Sequence, residues 1–85
     1  MASIRAELIG EYWISTAPRT TYISNYGEVA YYETMAWEWD AKEKTLGKIV
    51  YMGDSGNDKK WALKEHNKVV NVFRYLTWRK RRVVK

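Results

Sequence analysis

Apolar and polar positions alternate along the first two thirds of the chain, and the alternation is longest between residues 28 and 40. Successive side chains of a β-strand point to opposite faces, so this pattern predicts a strand with one bulky face. We expect the bulky face to pack against the helix predicted below. Its members are Val29, Tyr31, Glu33, Met35, Trp37 and Trp39.

Shorter strand patterns flank this long one. Residues 11–16 and 21–24 have strand composition, and the only proline, Pro18, is expected to interrupt them because it cannot donate to a β-ladder. Residues 48–52 return as a further strand. Residues 1–10 are short and mixed, and we expect a loosely held N-terminal arm there.

A helical period replaces the alternation after residue 56. Ala62, His66, Val69, Phe73 and Leu76 form one apolar stripe, with a partly buried His66. The preceding residues 57 and 58 are Asn and Asp, both suited to cap a helix N-terminus. The alternative is a strand through residues 69–78, which the β-branched content suits. The helix is favoured because its stripe extends further, whereas the strand would place an arginine among apolar side chains.

These elements predict a single α+β domain spanning residues 1–85. A small antiparallel sheet of three or four strands, within residues 11–53, packs against one C-terminal α-helix over residues 57–80. Residues 81–85 form a basic tail.

Composition excludes several classes of protein. The 85 residues include no cysteine, which excludes disulfides and thiolate metal sites. No apolar run approaches the ~20 residues of a membrane span, and no signal peptide is evident at the N-terminus. We therefore expect a cytoplasmic protein.

Charge divides the chain into two unequal parts. Residues 57–85 hold ten of the fifteen basic residues and a net charge of +8, whereas residues 1–56 carry −3. Basic side chains spaced along a helix can neutralise phosphates, and aromatic ones among them can stack on bases. The charge pattern therefore predicts a nucleic-acid-binding protein, with DNA favoured over RNA. The predicted contacts are Lys60, Lys64, Lys68, Arg74, Arg79, Arg81 and Arg82 to phosphate, with Tyr75 and Trp78 for stacking.

Two alternatives stay open for the same features. The basic face could complement an acidic host protein, with Tyr31, Trp37, Trp39 and Trp78 as aromatic anchors, or it could be a plain solvated surface. A homodimer is compatible with an aromatic sheet face that the single helix leaves uncovered.

No catalytic set, cofactor or metal site is expected. The tetrapeptide at residues 53–56, Gly-Asp-Ser-Gly, matches the nucleophile region of chymotrypsin-like proteases, but the chain is too short for their scaffold and has one histidine. Asp54, Asn57 and Asp58 lack the bidentate Glu of a calcium loop. Glu38 and Asp40 are interpreted as a solvated strand face. We predict a protein that is not an enzyme.

Two resemblances add to this interpretation. The segment Tyr-Ile-Ser-Asn-Tyr-Gly-Glu-Val at residues 22–29, with Glu11 and Trp13 upstream, resembles the small module at the front of HNH homing endonucleases. The His and Asn cluster of the nuclease does not follow, so this resemblance implies DNA contacts without cleavage.

The second resemblance covers roughly residues 13–73. Its residues are Trp-Ile-Ser-Thr at 13–16, Tyr-Glu-Thr-Met at 32–35, and Ala62 four positions before His66. This order is similar to a family of short, uncharacterised tailed-phage proteins. The resemblance implies a phage accessory protein with a sheet and a helix, located in the host-cell cytoplasm, and it supplies no activity. The leading hypothesis is nucleic-acid binding; the alternative is a host-takeover or anti-defence protein that binds and inhibits a host protein.

Overall fold

Four strands and one helix make up the structure, a computed structural model that describes residues 2–83. The strands form one antiparallel sheet in chain order, and the helix packs on one of its faces. This confirms the predicted α+β class and fixes the strand number at four. The elements are β1 Arg5–Ile9, β2 Tyr12–Ile23, β3 Gly27–Asp40, β4 Thr45–Asp54 and α1 Lys59–Val83.

The small core lies between α1 and one face of the sheet. Ile14 and Ala36 are paired across β2 and β3, and Val69, Val70 and Phe73 of α1 pack on them. Tyr12 extends the cluster, with its ring centroid 4.8 Å from that of Phe73. Four of the five residues of the predicted stripe therefore meet the sheet, whereas the fifth, Leu76, is 38 % exposed.

The prediction that the bulky face of β3 meets the helix is wrong. α1 packs instead on the face that carries Thr34 and Ala36, both 0 % exposed. Small side chains allow a helix to approach a sheet closely, whereas a row of tryptophans would hold it away. The bulky side chains therefore lie on the opposite surface, which no element covers among residues 2–83. We call this surface the open face; two rows of paired side chains cross it, Leu8–Trp13–Trp37–Ile49 and Ala6–Ser15–Met35–Met52.

The N-terminal segment is an edge strand and not the predicted loose arm. Arg5 to Ile9 pair with β2, and Glu7 reaches the buried His66 of α1. At five residues, the alternation of β1 is too short to be recognised without its partners. The turn from β1 to β2 lies close to α1. Glycine fits at position 10 because a Cβ atom there would lie 2.6 Å from the Thr77 side chain, and because the backbone has a φ of +59°.

The prediction that Pro18 interrupts the strand is also wrong, because β2 runs through this residue. Tyr32, its partner on β3, directs its own N–H and C=O towards Gly56 and Ser55. Pro18 and Tyr32 are therefore a non-hydrogen-bonded pair, and the proline nitrogen points away from β3. On that side β1 pairs only as far as Thr16, so no ladder hydrogen bond is lost.

The helix prediction for residues 69–78 is confirmed, and the strand alternative is wrong. Asp58 caps the N-terminus, since its Oδ1 accepts a hydrogen bond from the Lys60 N–H at 3.0 Å. α1 continues to Val83, so the first part of the predicted basic tail is helical, and positions 84 and 85 lie outside the described residues. No helix within residues 2–83 combines the length and apolarity that crossing a bilayer requires.

Candidate nucleic-acid interface

Packing on one side of α1 leaves its other side exposed. Ala62, His66, Val69 and Phe73 are held against the sheet, each less than a tenth exposed. All nine residues predicted to bind nucleic acid are exposed on this single helix: Lys60, Lys64, Lys68, Arg74, Tyr75, Trp78, Arg79, Arg81 and Arg82.

We call the surface formed by eight of these nine residues, all except Arg81, the outer face. At 1.5 Å per residue, the outer face runs about 33 Å from Lys60 to Arg82. Arg81 instead lies on the side of the helix, where it lines a cavity of about 200 Å³ with Gly10 and Thr77. The structure therefore separates Arg81 from the other predicted contacts.

Most cations of the outer face lie in no ion pair within the described part of the chain. Lys68 Nζ lies 3.5 Å from Glu65 Oε1, the one acidic side chain of α1. The helix as a whole carries nine basic residues and one acidic residue, a net +8. Such a surface attracts anions, and the attraction decreases as salt screens it.

Aromatic rings lie among these cations. The ring centroids of Tyr75 and Trp78 are 5.8 Å apart, and the Arg82 guanidinium lies 5.3 Å from the Trp78 ring. Trp61 was not among the predicted contacts, yet it is half exposed and its ring lies 5.5 Å from Lys68 Nζ. A spacing of seven residues, two helical turns, is the signal that places Trp61 beside Lys68.

The basic surface ends at an acidic cleft near the C-terminal part of α1. A cavity of about 460 Å³ lies there between the helix and two turns of the sheet. Lys80 Nζ donates to Glu11 Oε2 at 2.8 Å, and this contact lowers the pKa of Glu11 and raises that of Lys80. Glu38 and Asp40 line the same cavity, so phosphate would be repelled from this side.

A chain of buried hydroxyl groups joins His66 to the sheet. The Nε2 of His66 lies 3.2 Å from a Glu7 oxygen, and since a carboxylate only accepts, Nε2 carries the proton. Nδ1 therefore accepts from Thr16, whose Oγ1 accepts from Thr34. Ser55 donates to Thr34 at 2.7 Å and ends the chain. Both ring nitrogens of His66 therefore have partners, and the side chain is fully buried, at 0 % exposure, where partial burial was predicted.

Burial lowers the pKa of His66 below its ordinary value of 6.5, because the imidazolium loses hydration. The Glu7 carboxylate opposes this effect and the Arg5 charge adds to it. The unfolded chain therefore binds a proton more readily than the folded one. We expect stability to be full above about pH 6.5 and to fall below it, by at most ~1.4 kcal/mol per pH unit.

Urea denaturation from about pH 8 to 5 measures this effect, with His66→Gln as the reference because an amide does not titrate there. The wild-type protein is expected to lose more stability than the variant over this range. The same pH dependence in both proteins would show that His66 does not contribute.

The remaining sequence motifs are structural in this fold. Ser55 of the Gly-Asp-Ser-Gly tetrapeptide is 3 % exposed, and Asp54 accepts a hydrogen bond from the Gly56 N–H. Asp40 caps the following turn by accepting from the Lys42 and Glu43 N–H groups. Within residues 2–83, no group of three or more His, Cys, Asp or Glu side chains is placed to hold a metal ion.

No protein family, curated protein or solved structure matches the chain.

Proposed function

We propose that this protein binds nucleic acid, with DNA preferred to RNA, through the outer face of α1. The observation that carries the proposal is the continuous exposed surface of a 25-residue helix with a net charge of +8. Duplex DNA carries one negative charge per ~1.7 Å of axis, so several lysines and arginines of the outer face can meet phosphates together.

Groove dimensions support the preference for DNA. An α-helix with its side chains is ~10–12 Å wide, which matches the ~12 Å major groove of B-DNA. The major groove of A-form RNA is deep and narrow, and excludes a helix of this size. Tyr75 and Trp78, both about half exposed, are the side chains that would stack on unpaired bases.

The origin and location of the protein belong to the same proposal. The Tyr-Glu-Thr-Met segment and the Ala and His of the helix support a phage accessory protein, which we expect not to be an enzyme. A protein with this role would act on nucleic acid in the cytoplasm of the infected cell.

The test is binding to labelled duplex DNA, single-stranded DNA and RNA at about 50 and 200 mM salt. We expect duplex binding that weakens steeply with salt. A triple variant, Lys60→Ala, Lys64→Ala and Arg82→Ala, should reduce the salt slope by about 3 and lower the affinity about 100-fold. Circular dichroism checks that the exposed substitutions leave the fold intact.

A second triple variant is the control, because it removes the same charge elsewhere. Lys42, Lys44 and Lys48 are exposed on the β3–β4 turn and β4, and replacing them by alanine should change affinity less than about threefold. Equal losses in both variants would mean that net charge, not the outer face, governs binding. No binding at low salt would overturn the proposal.

A protein partner is the second candidate function, and the position of the tryptophans favours it. Trp37 and Trp39, predicted as anchors, lie on the open face and not in the core. An interface anchored by aromatic side chains should lose far less affinity with salt than phosphate contacts do, so the same titration separates the two.

A further inference from the structure

The open face is an apolar surface that spans all four strands. The row Leu8–Trp13–Trp37–Ile49 crosses the whole sheet, and directly paired residues of antiparallel strands point to the same side. Leu8 and Ile49 are about half exposed, and Met52 in the neighbouring row is 62 % exposed. Ser15 and Met35, at the centre of that neighbouring row, are each less than a tenth exposed. α1 covers the other side of the sheet, so no second layer of secondary structure lies on this face among residues 2–83.

The tryptophans make this surface continuous. Trp13 and Trp39 are diagonal neighbours on β2 and β3, with ring centroids 6.1 Å apart. Leu46 is paired with Trp39 and extends the surface onto β4. Rings at this spacing present a broad apolar area at a small entropic cost, because each has only two side-chain torsions.

The area is that of a dimer interface. The four strands together hold 41 residues, and at ~4.8 Å between strands and ~3.4 Å along each strand, one face of the sheet covers about 670 Å². Two copies would then bury about 1,300 Å² together, within the ~1,200–2,000 Å² of stable protein interfaces.

Charge indicates which partner fits this surface. The two rows contain no lysine or arginine that could meet a phosphate, and no acidic side chain that would select a basic peptide. Beyond them, Arg19 Nε and Glu33 Oε1 are 3.1 Å apart and neutralise each other, and Asp54, paired with Glu33, adds one carboxylate at the margin of the surface. Apolar rows without charge are complementary to the same rows of a second copy.

Repulsion between the helices favours the same arrangement. Two copies could not meet through α1, because each helix carries +8. Packing the sheets face to face, ~10 Å apart, places the helices on opposite outer sides, well beyond the ~8–10 Å over which salt screens charges. We propose that this chain forms a twofold-symmetric homodimer through the open face, as a sandwich of two sheets with the helices outside. The dimer forms whether or not α1 binds nucleic acid.

The mass of the full chain in solution tests the proposal. Sedimentation equilibrium over about 1–100 µM should give twice the 10.1 kDa chain mass. The variant Ile49→Glu with Met52→Glu would bury carboxylates in the interface, and we expect it to dissociate at least 100-fold more readily, giving monomer. Val72→Glu, a substitution at a half-exposed apolar residue of α1, is the matched control and should remain dimeric.

Each outcome decides the proposal. Circular dichroism checks that each variant is folded. If the double variant is unfolded, the single variant Met52→Glu takes its place. A dimer that only the open-face variant disrupts supports the interface. Wild-type monomer at about 100 µM overturns it and leaves the open face to a protein of different sequence. A dimer that the open-face variant does not weaken also overturns it.

Discussion

Replacing Phe73 by alanine lowers the free energy of unfolding by about 3–5 kcal/mol. Phe73 is 6 % exposed and packs on Tyr12, Ile14 and Ala36, the centre of a core that holds few other large side chains. The loss combines the transfer free energy of the ring with the cavity it leaves. For a domain of this size the effect is a large fraction of total stability.

Urea denaturation of Phe73→Ala beside Val72→Ala measures this loss. Val72 immediately precedes Phe73 in α1 and is 55 % exposed, so its truncation should change stability by less than about 0.5 kcal/mol. Similar losses in the two variants would mean that α1 does not present Phe73 to the sheet.

The second large effect is expected for Thr34→Val. This substitution keeps the shape of the side chain but removes the hydroxyl that joins Thr16 and Ser55. The Ser55 hydroxyl, 3 % exposed, would lose its acceptor, and an unsatisfied buried polar group costs about 1–3 kcal/mol. We expect a loss of about 2–3 kcal/mol, because the Thr16 oxygen also loses a donor.

Thr21→Val is the control for this prediction, since Thr21 lies exposed on β2 and valine is favourable in strands. Chemical denaturation should find it as stable as the wild-type protein to within about 0.5 kcal/mol. If Thr34→Val were equally neutral, the buried hydroxyl chain would not contribute to stability.

Some errors of the sequence prediction share one cause, since they depend on partners distant in the chain. β1 can be recognised as a strand only from its pairing with β2, in which Glu7 lies opposite Ile14. Pro18 is compatible with a strand only because β1 ends opposite Thr16 and leaves that edge open. Neither fact can be derived from local propensity.

The exposed basic surface was predictable because it depends on one helix. The period of 3.6 residues and the Asp58 cap fix α1, and the apolar stripe then determines which side faces water. All nine predicted residues are therefore exposed. Only Arg81 departs from the outer face, because it lies on the side of α1 near the β1–β2 turn.

The sequence by itself determined the fold class, the alternation of β3 and the charge and exposure of α1, because these follow from periods of two and 3.6 residues within single segments. Tertiary structure alone decided which face of the sheet meets the helix. The alternation of β3 does not show which of its two faces packs against the helix, and the prediction chose the face with the larger side chains, which is the wrong face. Close approach of α1 requires Ala36 and Thr34, and His66 requires hydrogen-bond partners on that side. The same requirement leaves the tryptophans of the open face, which are of intermediate exposure, without a covering layer among residues 2–83.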